Sequence, residues 1–119
     1  MILKMLLVFS LIFALSPVNA AEKQKIEKPS EEEALQAFQA VAEDMPAELF
    51  KGATMKLGTC VPAVNAKHKG QIACTVAFIF GAGSSETQLD FYRDAKTGKW
   101  IAQASESQDL LPFPDPKLR

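Results

Sequence analysis

Along this chain the spacing of apolar residues changes character twice. It is nearly continuous from Met5 to Leu15, interrupted only by Ser10, recurs every three or four residues from Leu35 to Met45, and alternates beyond Ala53. In "SEEEALQAFQAVAEDMP" the residues Leu35, Phe38, Val41, Ala42 and Met45 fall on one stripe of a helix. Ser30 and Glu33 match a capping box, in which the hydroxyl accepts from the Glu33 amide and the carboxylate from the Ser30 amide. Three glutamates in the first turn suit the positive end of the helix dipole. Pro46 disfavours helix at Met45 but fits the first turn of a short second helix, "PAELFKG", closed by Gly52.

The alternating region predicts four strands. "TMKLGTCV" and "TQLDFYR" alternate, "QIACTVAFIF" is apolar on both faces, and "KWIAQAS" follows the turn-rich "DAKTG", with Gly98 placed for positive φ. These read as an antiparallel meander. If Cys60 faces Cys74, simple pairing sets Gly58 against Val76 and Leu57 against Ala77. A loop over 81–86 then brings Phe78 near Leu89 and Val76 near Phe91, while the later turn sets Trp100 opposite Arg93 and Ala102 opposite Phe91. One face gathers Val76, Phe78, Phe80, Leu89, Phe91 and Trp100, to be covered by the helix stripe. The other gathers Met55, Leu57, Ile79, Tyr92 and Ile101 among Thr75, Gln88, Asp90 and Gln103. A contiguous apolar patch of that kind often marks an interaction surface, so these five residues are the expected partner or dimer contact, the alternative being that the short second helix or the proline-rich tail docks there. A one-residue slip would exchange the faces.

The expected class is therefore α+β: an N-terminal helix, with a second short one, packed on a four-stranded antiparallel meander. A helix wrapped by such a meander over residues 30–105 resembles, in layout, the cystatin-like folds. The Gln-x-Val-x-Gly hairpin of cystatin inhibitors is absent, so no inhibitory residue is carried over, and fold likeness alone does not give function. The chain divides into a signal peptide at 1–20, a charged flexible leader at 21–29, one domain at 30–106 and a proline-rich tail at 107–119. The tail, "DLLPFPDPKLR", is expected to be extended, either docked or loose.

The signal reading rests on Lys4, the short apolar run, the break at Ser16-Pro17 and the small residues before Ala21. The run is too short to span a membrane comfortably, and no cysteine follows it for lipid attachment. Removing residues 1–20 would take away only Lys4 of the 13 basic residues and none of the 14 acidic ones, leaving a formal charge of −2. That balance does not suit a nucleic-acid binder, whose affinity comes from neutralising phosphates.

Both cysteines and the one histidine lie in "CVPAVNAKHKGQIAC". A structural zinc site needs four ligands, and Cys60, His68 and Cys74 offer three. Redox chemistry wants Cys-x-x-Cys or a thiolate at a helix start, and neither is present. A disulfide needs only two cysteines and an oxidising compartment, so Cys60–Cys74 reads as a staple. His68, between Lys67 and Lys69, reads as an exposed loop residue. "GAGSSE" lacks the Gly-Lys-Ser/Thr of a phosphate loop, and neither Ser84 nor Ser85 belongs to a nucleophile motif. Glu86 with Asp90 could form a carboxylate pair, but Asp90 falls on the outward face. No catalytic set, metal site or cofactor is expected.

These observations point to a periplasmic or secreted, non-enzymatic protein that binds another protein or itself, in the manner of an inhibitor, immunity protein or envelope accessory. The competing expectation is a small-ligand carrier or hydrolase with a pocket between helix and sheet. The signal reading predicts an exported chain beginning at Ala21. Intact-mass measurement of exported material should give that mass, and a mass retaining residues 1–20 would indicate an anchor instead.

Overall fold

A computed structural model describes residues 26–81 and 83–119. The expected signal segment lies outside the described residues. Helix α1 spans Glu31–Val41, and both halves of the capping box form: Glu33 N–H donates to Ser30 Oγ at 3.0 Å, and Ser30 N–H to Glu33 Oε1 at 2.9 Å. The helix stops at Val41 rather than running to Met45, and Val41 is 48 % exposed, so it does not belong to the buried stripe. The buried stripe is instead centred on Ala34 and Ala37, with Leu35, Phe38, Ala42 and Met45 half-buried beside it. The two alanines allow the helix to sit close to the sheet. The expected second helix is a short 3-10 turn, Ala47–Phe50, and Gly52 follows it at φ +70°.

The strands are β1 (Thr54–Pro62), β2 (Ile72–Phe80), β3 (Gly83–Arg93) and β4 (Trp100–Ala104), paired antiparallel in that order. The α+β class and the meander are as expected. So is the β3–β4 hairpin, with Arg93 opposite Trp100, Ala102 opposite Phe91, and Gly98 at φ +75°. The other two registers differ from simple alternation. Strand β2 gives way to β3 after the Phe80–Gly83 pair, with Gly81 at φ +47°, so Ser84, Ser85 and Glu86 belong to β3 and not to a loop. A two-residue hairpin needs positive φ, which glycine adopts without strain. As a result Phe78 faces Ser85, Val76 faces Thr87, and Leu89 lies opposite Cys74.

In β1 a bulge sets Gly58 and Thr59 together against Thr75, between the pairs Leu57–Val76 and Cys60–Cys74. One extra residue reverses the inward and outward alternation on the far side of it. Met55 and Leu57 therefore point to the same face as Cys60, towards α1. Met55 is 1 % exposed and Leu57 packs against the core. The core on this side is built from Val76, Phe78, Leu89, Phe91, Trp100 and Ala102 under the helix. Phe38, Phe50 and Phe78 meet there as a tilted aromatic cluster, with ring centroids 5.2–6.0 Å apart. The helix touches both outer strands, β1 and β4, so the sheet wraps it.

Of the segment expected to be a flexible leader, Ile26 packs against the core and Pro29 is buried. Glu27 reaches Arg93 at 3.2 Å, and the Arg93 guanidinium lies 4.6 Å above the Trp100 ring.

Cys60 and Cys74 are bonded, joining adjacent strands across a separation of 14 residues. Closing a loop of about 15 residues stabilises a fold by about 3 kcal/mol in the chain-entropy view. Here the bond also fixes β1 beside its bulge. Cys60→Ala should lower the unfolding free energy by about 2–5 kcal/mol. Chemical denaturation of the oxidised protein and the variant measures this, and non-reducing peptide mapping should find the two cysteines joined.

Candidate functional site

The face of the sheet away from α1 carries small and polar residues. Ala73, Thr75 and Ala77 of β2 and Asp90 of β3 are all buried there. What buries them is the chain's own end. Residues 105–119 dock on this face through two short 3-10 turns, Gln108–Leu110 and Pro116–Leu118, with a cis peptide at Phe113-Pro114. Small side chains underneath let an extended segment approach the sheet closely.

The docked end is held at three points. Ser107, itself buried, accepts through Oγ from Val64 N–H at 2.9 Å, which ties the segment to the β1–β2 connection. Leu111 is buried. Asp115, 1 % exposed, reaches the bulge: its Oδ2 accepts from Thr59 N–H at 2.8 Å and from Thr75 Oγ1. Its Oδ1 accepts from Lys117 N–H at 2.9 Å, and its own N–H donates to Glu86 Oε2 at 2.7 Å. Gly58 is required at this point, because a Cβ there would meet Thr75 Oγ1, the Asp115 carboxylate and Leu118.

Burial raises the Asp115 pKa, but the hydrogen bonds from Thr75, Lys117 and Thr59 outweigh that, and the carboxyl is held at about 2 against an ordinary 3.8.

Between the fixed points two apolar side chains turn outward. Leu110 is 53 % exposed and Phe113 64 % exposed, and Pro112 and Pro114 are exposed beside them. The sequence pattern leaves open whether this segment is docked or loose, and the structure shows it docked. The signal that was available is the lone Asp115 between Pro114 and Pro116 near an apolar run, which is weak.

A second polar cluster holds the β1–β2 connection against the same face. The buried Gln71 donates through Nε2 to Asp90 Oδ2 at 2.7 Å, and its Oε1 accepts from Lys67 N–H at 3.1 Å and His68 N–H at 3.3 Å. His68 is exposed, as expected, but it does not project freely. Its ring lies parallel to that of Tyr92, with centroids 3.7 Å apart and planes within 2°.

The five residues expected to form one partner surface are thus divided. Met55 and Leu57 lie under α1, because the bulge moves them there. Ile79, Tyr92 and Ile101 lie on the opposite face; Ile79 is exposed, whereas Tyr92 and Ile101 are half-buried. The patch of five does not exist as a surface.

Chemically competent groups are also kept apart. Ile72 pairs with Phe91 and Ile79 with Ser84, so the His68–Tyr92 stack and Ser84 sit near opposite ends of β2, roughly 26 Å apart at about 3.3 Å per residue. Glu86 and Asp90 are four residues apart on β3, roughly 13 Å, and each is engaged elsewhere. Among the described residues, no group of three or more His, Cys, Asp or Glu could hold a metal ion.

Two hollows flank the helix. One, of about 310 Å³, is lined by Glu33, Gln36, Ala37, Ala40, Lys99 and Trp100. The other, of about 260 Å³, is lined by Glu31, Glu32, Leu35, Ala53, Thr54 and Met55. Both open to solvent at the sides of α1, while the space directly beneath it is filled by the aromatic cluster.

No protein-family model matches the chain, and neither a curated protein nor a solved structure does.

The depressed pKa fixes the sign of an acid effect. Asp115 contributes stability in full above its unfolded pKa near 3.8, and loses that contribution as pH falls through about 2. Asp115→Asn should be less stable than the parent at pH 5–7, with the difference shrinking between pH 4 and pH 2. Urea denaturation across that range measures it, and a difference independent of pH would mean that the charge at Asp115 contributes nothing.

Proposed function

We propose that this chain is an exported, non-enzymatic binding protein that engages another protein through its docked end segment. One observation carries the reading. Residues 107–115 are fastened at Ser107, Leu111 and Asp115, yet they hold Leu110 and Phe113 out in solvent. A segment already ordered before binding loses little conformational freedom when it binds. Aromatic and aliphatic side chains presented in this way act as anchors for an apolar cleft on a partner.

Export to an oxidising compartment, periplasmic or extracellular, is part of the same proposal. The disulfide supports it, and so does the fact that, among the described residues, no helix is long and apolar enough to cross a membrane. We also propose the comparison with cystatin-like layouts at the level of the wrapped helix, with the end segment as this chain's own addition on the far face. The carrier or hydrolase reading gains less support: the two hollows open at the sides of α1, one against Trp100 of β4 and one against Thr54 and Met55 of β1, and neither is lined by a serine, cysteine or histidine.

A photo-crosslinking residue at position 113 or 110, tested in the native exported setting, should give an adduct with a protein. The same residue at the exposed turn position Lys96 should give none. Adducts from position 96 with none from 110 or 113 would place the binding surface at the β3–β4 turn instead.

A further inference from the structure

The exposed charged side chains on the two sides of the molecule differ in sign. The helical layer presents Glu31, Glu32, Glu33, Glu43, Asp44 and Glu48, all exposed, against Lys51 and Lys99, with Glu27 and Arg93 paired beside them. The face that holds the end segment presents Lys56, Lys67, Lys69, Lys117 and Arg119, against the exposed acids Glu106 and Asp109. Asp90 and Asp115 on that side are buried, Asp115 accepting several hydrogen bonds and Asp90 one, from Gln71, and Glu86 is engaged by Asp115 N–H and, at 3.7 Å, by Arg119. The basic side is also the side from which Phe113 and Leu110 protrude.

The acidic side contains a complementary shape. The 260 Å³ hollow beside α1 has an apolar floor of Leu35, Ala53 and Met55 and an acidic rim of Glu31 and Glu32. A cavity of about 150 Å³ already holds a benzene ring, so one phenylalanine side chain fits. Building on the reading of 107–115 as the binding element, we propose that its occupant is a second copy of this chain. Phe113 of one molecule seats in the hollow of the next, Leu110 packs at its edge, and the lysines around the end segment face Glu31 and Glu32.

Donor and acceptor lie on opposite sides of the sheet, so the contact is heterologous and runs head to tail. Two apolar side chains and a charged rim make a small interface at the weak end of specific contacts. Association therefore belongs at protein concentrations on the order of 0.1 mM, and it weakens with salt because the rim charges are exposed.

Sedimentation velocity of the purified, oxidised protein tests this. The average mass should rise with concentration up to about 0.5 mM at low ionic strength, and fall back at about 0.5 M salt. Leu110→Ala with Phe113→Ala removes the donor, and Glu31→Lys with Glu32→Lys removes the acceptor. Each double variant should stay monomeric while melting cooperatively; if the lysine pair disturbs the helix start, Glu31→Gln with Glu32→Gln takes its place. Mixed in equal amounts, the donor-dead and acceptor-dead proteins retain one working contact between them, so they should form a dimer and nothing larger.

A parent that is monomeric at every concentration overturns the proposal, as does association that survives both double substitutions or a mixture that stays monomeric. The outcome is separable from the wider reading. A monomeric parent whose position 113 still crosslinks to a different protein removes the second copy as occupant and leaves the end segment as the binding element.

Discussion

A single carboxylate joins the two ends of this fold's architecture. The bulge at Gly58 and Thr59 takes one residue out of step with β2 and turns the Thr59 amide towards the sheet's outer face. A buried amide without an acceptor would cost about 1–3 kcal/mol. Asp115 supplies the acceptor, together with Thr75 Oγ1, which lies 2.9 Å from the same nitrogen. The dependence runs both ways. An aspartate buried under the end segment is tolerable only where several donors already point at it, and the bulge with Thr75 provides them. Sheet irregularity and docked end therefore require each other.

The same pairing accounts for the division of labour between the two faces. Towards α1 the sheet uses large side chains, and Phe38 of the helix meets Phe50 and Phe78 beside the two buried alanines. Towards the end segment it uses Ala73, Thr75, Ala77 and a glycine, because backbone has to approach backbone closely enough for Asp115 to reach Thr59. That is why β2 is apolar on both sides while the flanking strands alternate. A central strand covered twice reads as a continuous apolar run, and here the second cover is too thin to show any periodicity of its own.

What was legible in the sequence follows from how far each signal acts. The capping box, the Gly98 turn with its Arg93–Trp100 register, and the Cys60–Cys74 pair depend on residues close together or on chemistry with one partner available. The placement of Met55 and Leu57 did not survive, because it assumed unbroken alternation across Gly58. An isolated glycine in a strand pattern is itself a bulge signal, and taking it as one would have put both residues under the helix. The β2–β3 register was misplaced for the same kind of reason: Gly81 marks a two-residue turn, whereas "GAGSSE" looks like a longer polar loop. The docking of 107–119 was open in the sequence only as an alternative, and its anchor was not legible. It depends on a contact between Asp115 and Thr59, 56 residues apart, and no local pattern encodes it.

That long-range contact also bears on how the proposed binding element works. Leu110 and Phe113 contribute little burial to their own fold, so stability alone does not account for their position on the surface. The residues on either side of them do contribute: Ser107 closes the β1–β2 connection, Leu111 is buried, and Asp115 completes the bulge. Alternation of inward anchors with outward apolar side chains resembles a strand in its logic, although the segment pairs with no strand. In the proposed reading, the energy that holds the anchors is set aside from binding and serves to keep the displayed pair fixed. A partner then meets a surface with little left to order, and its affinity depends on the fit of one aromatic side chain and not on the folding of a tail.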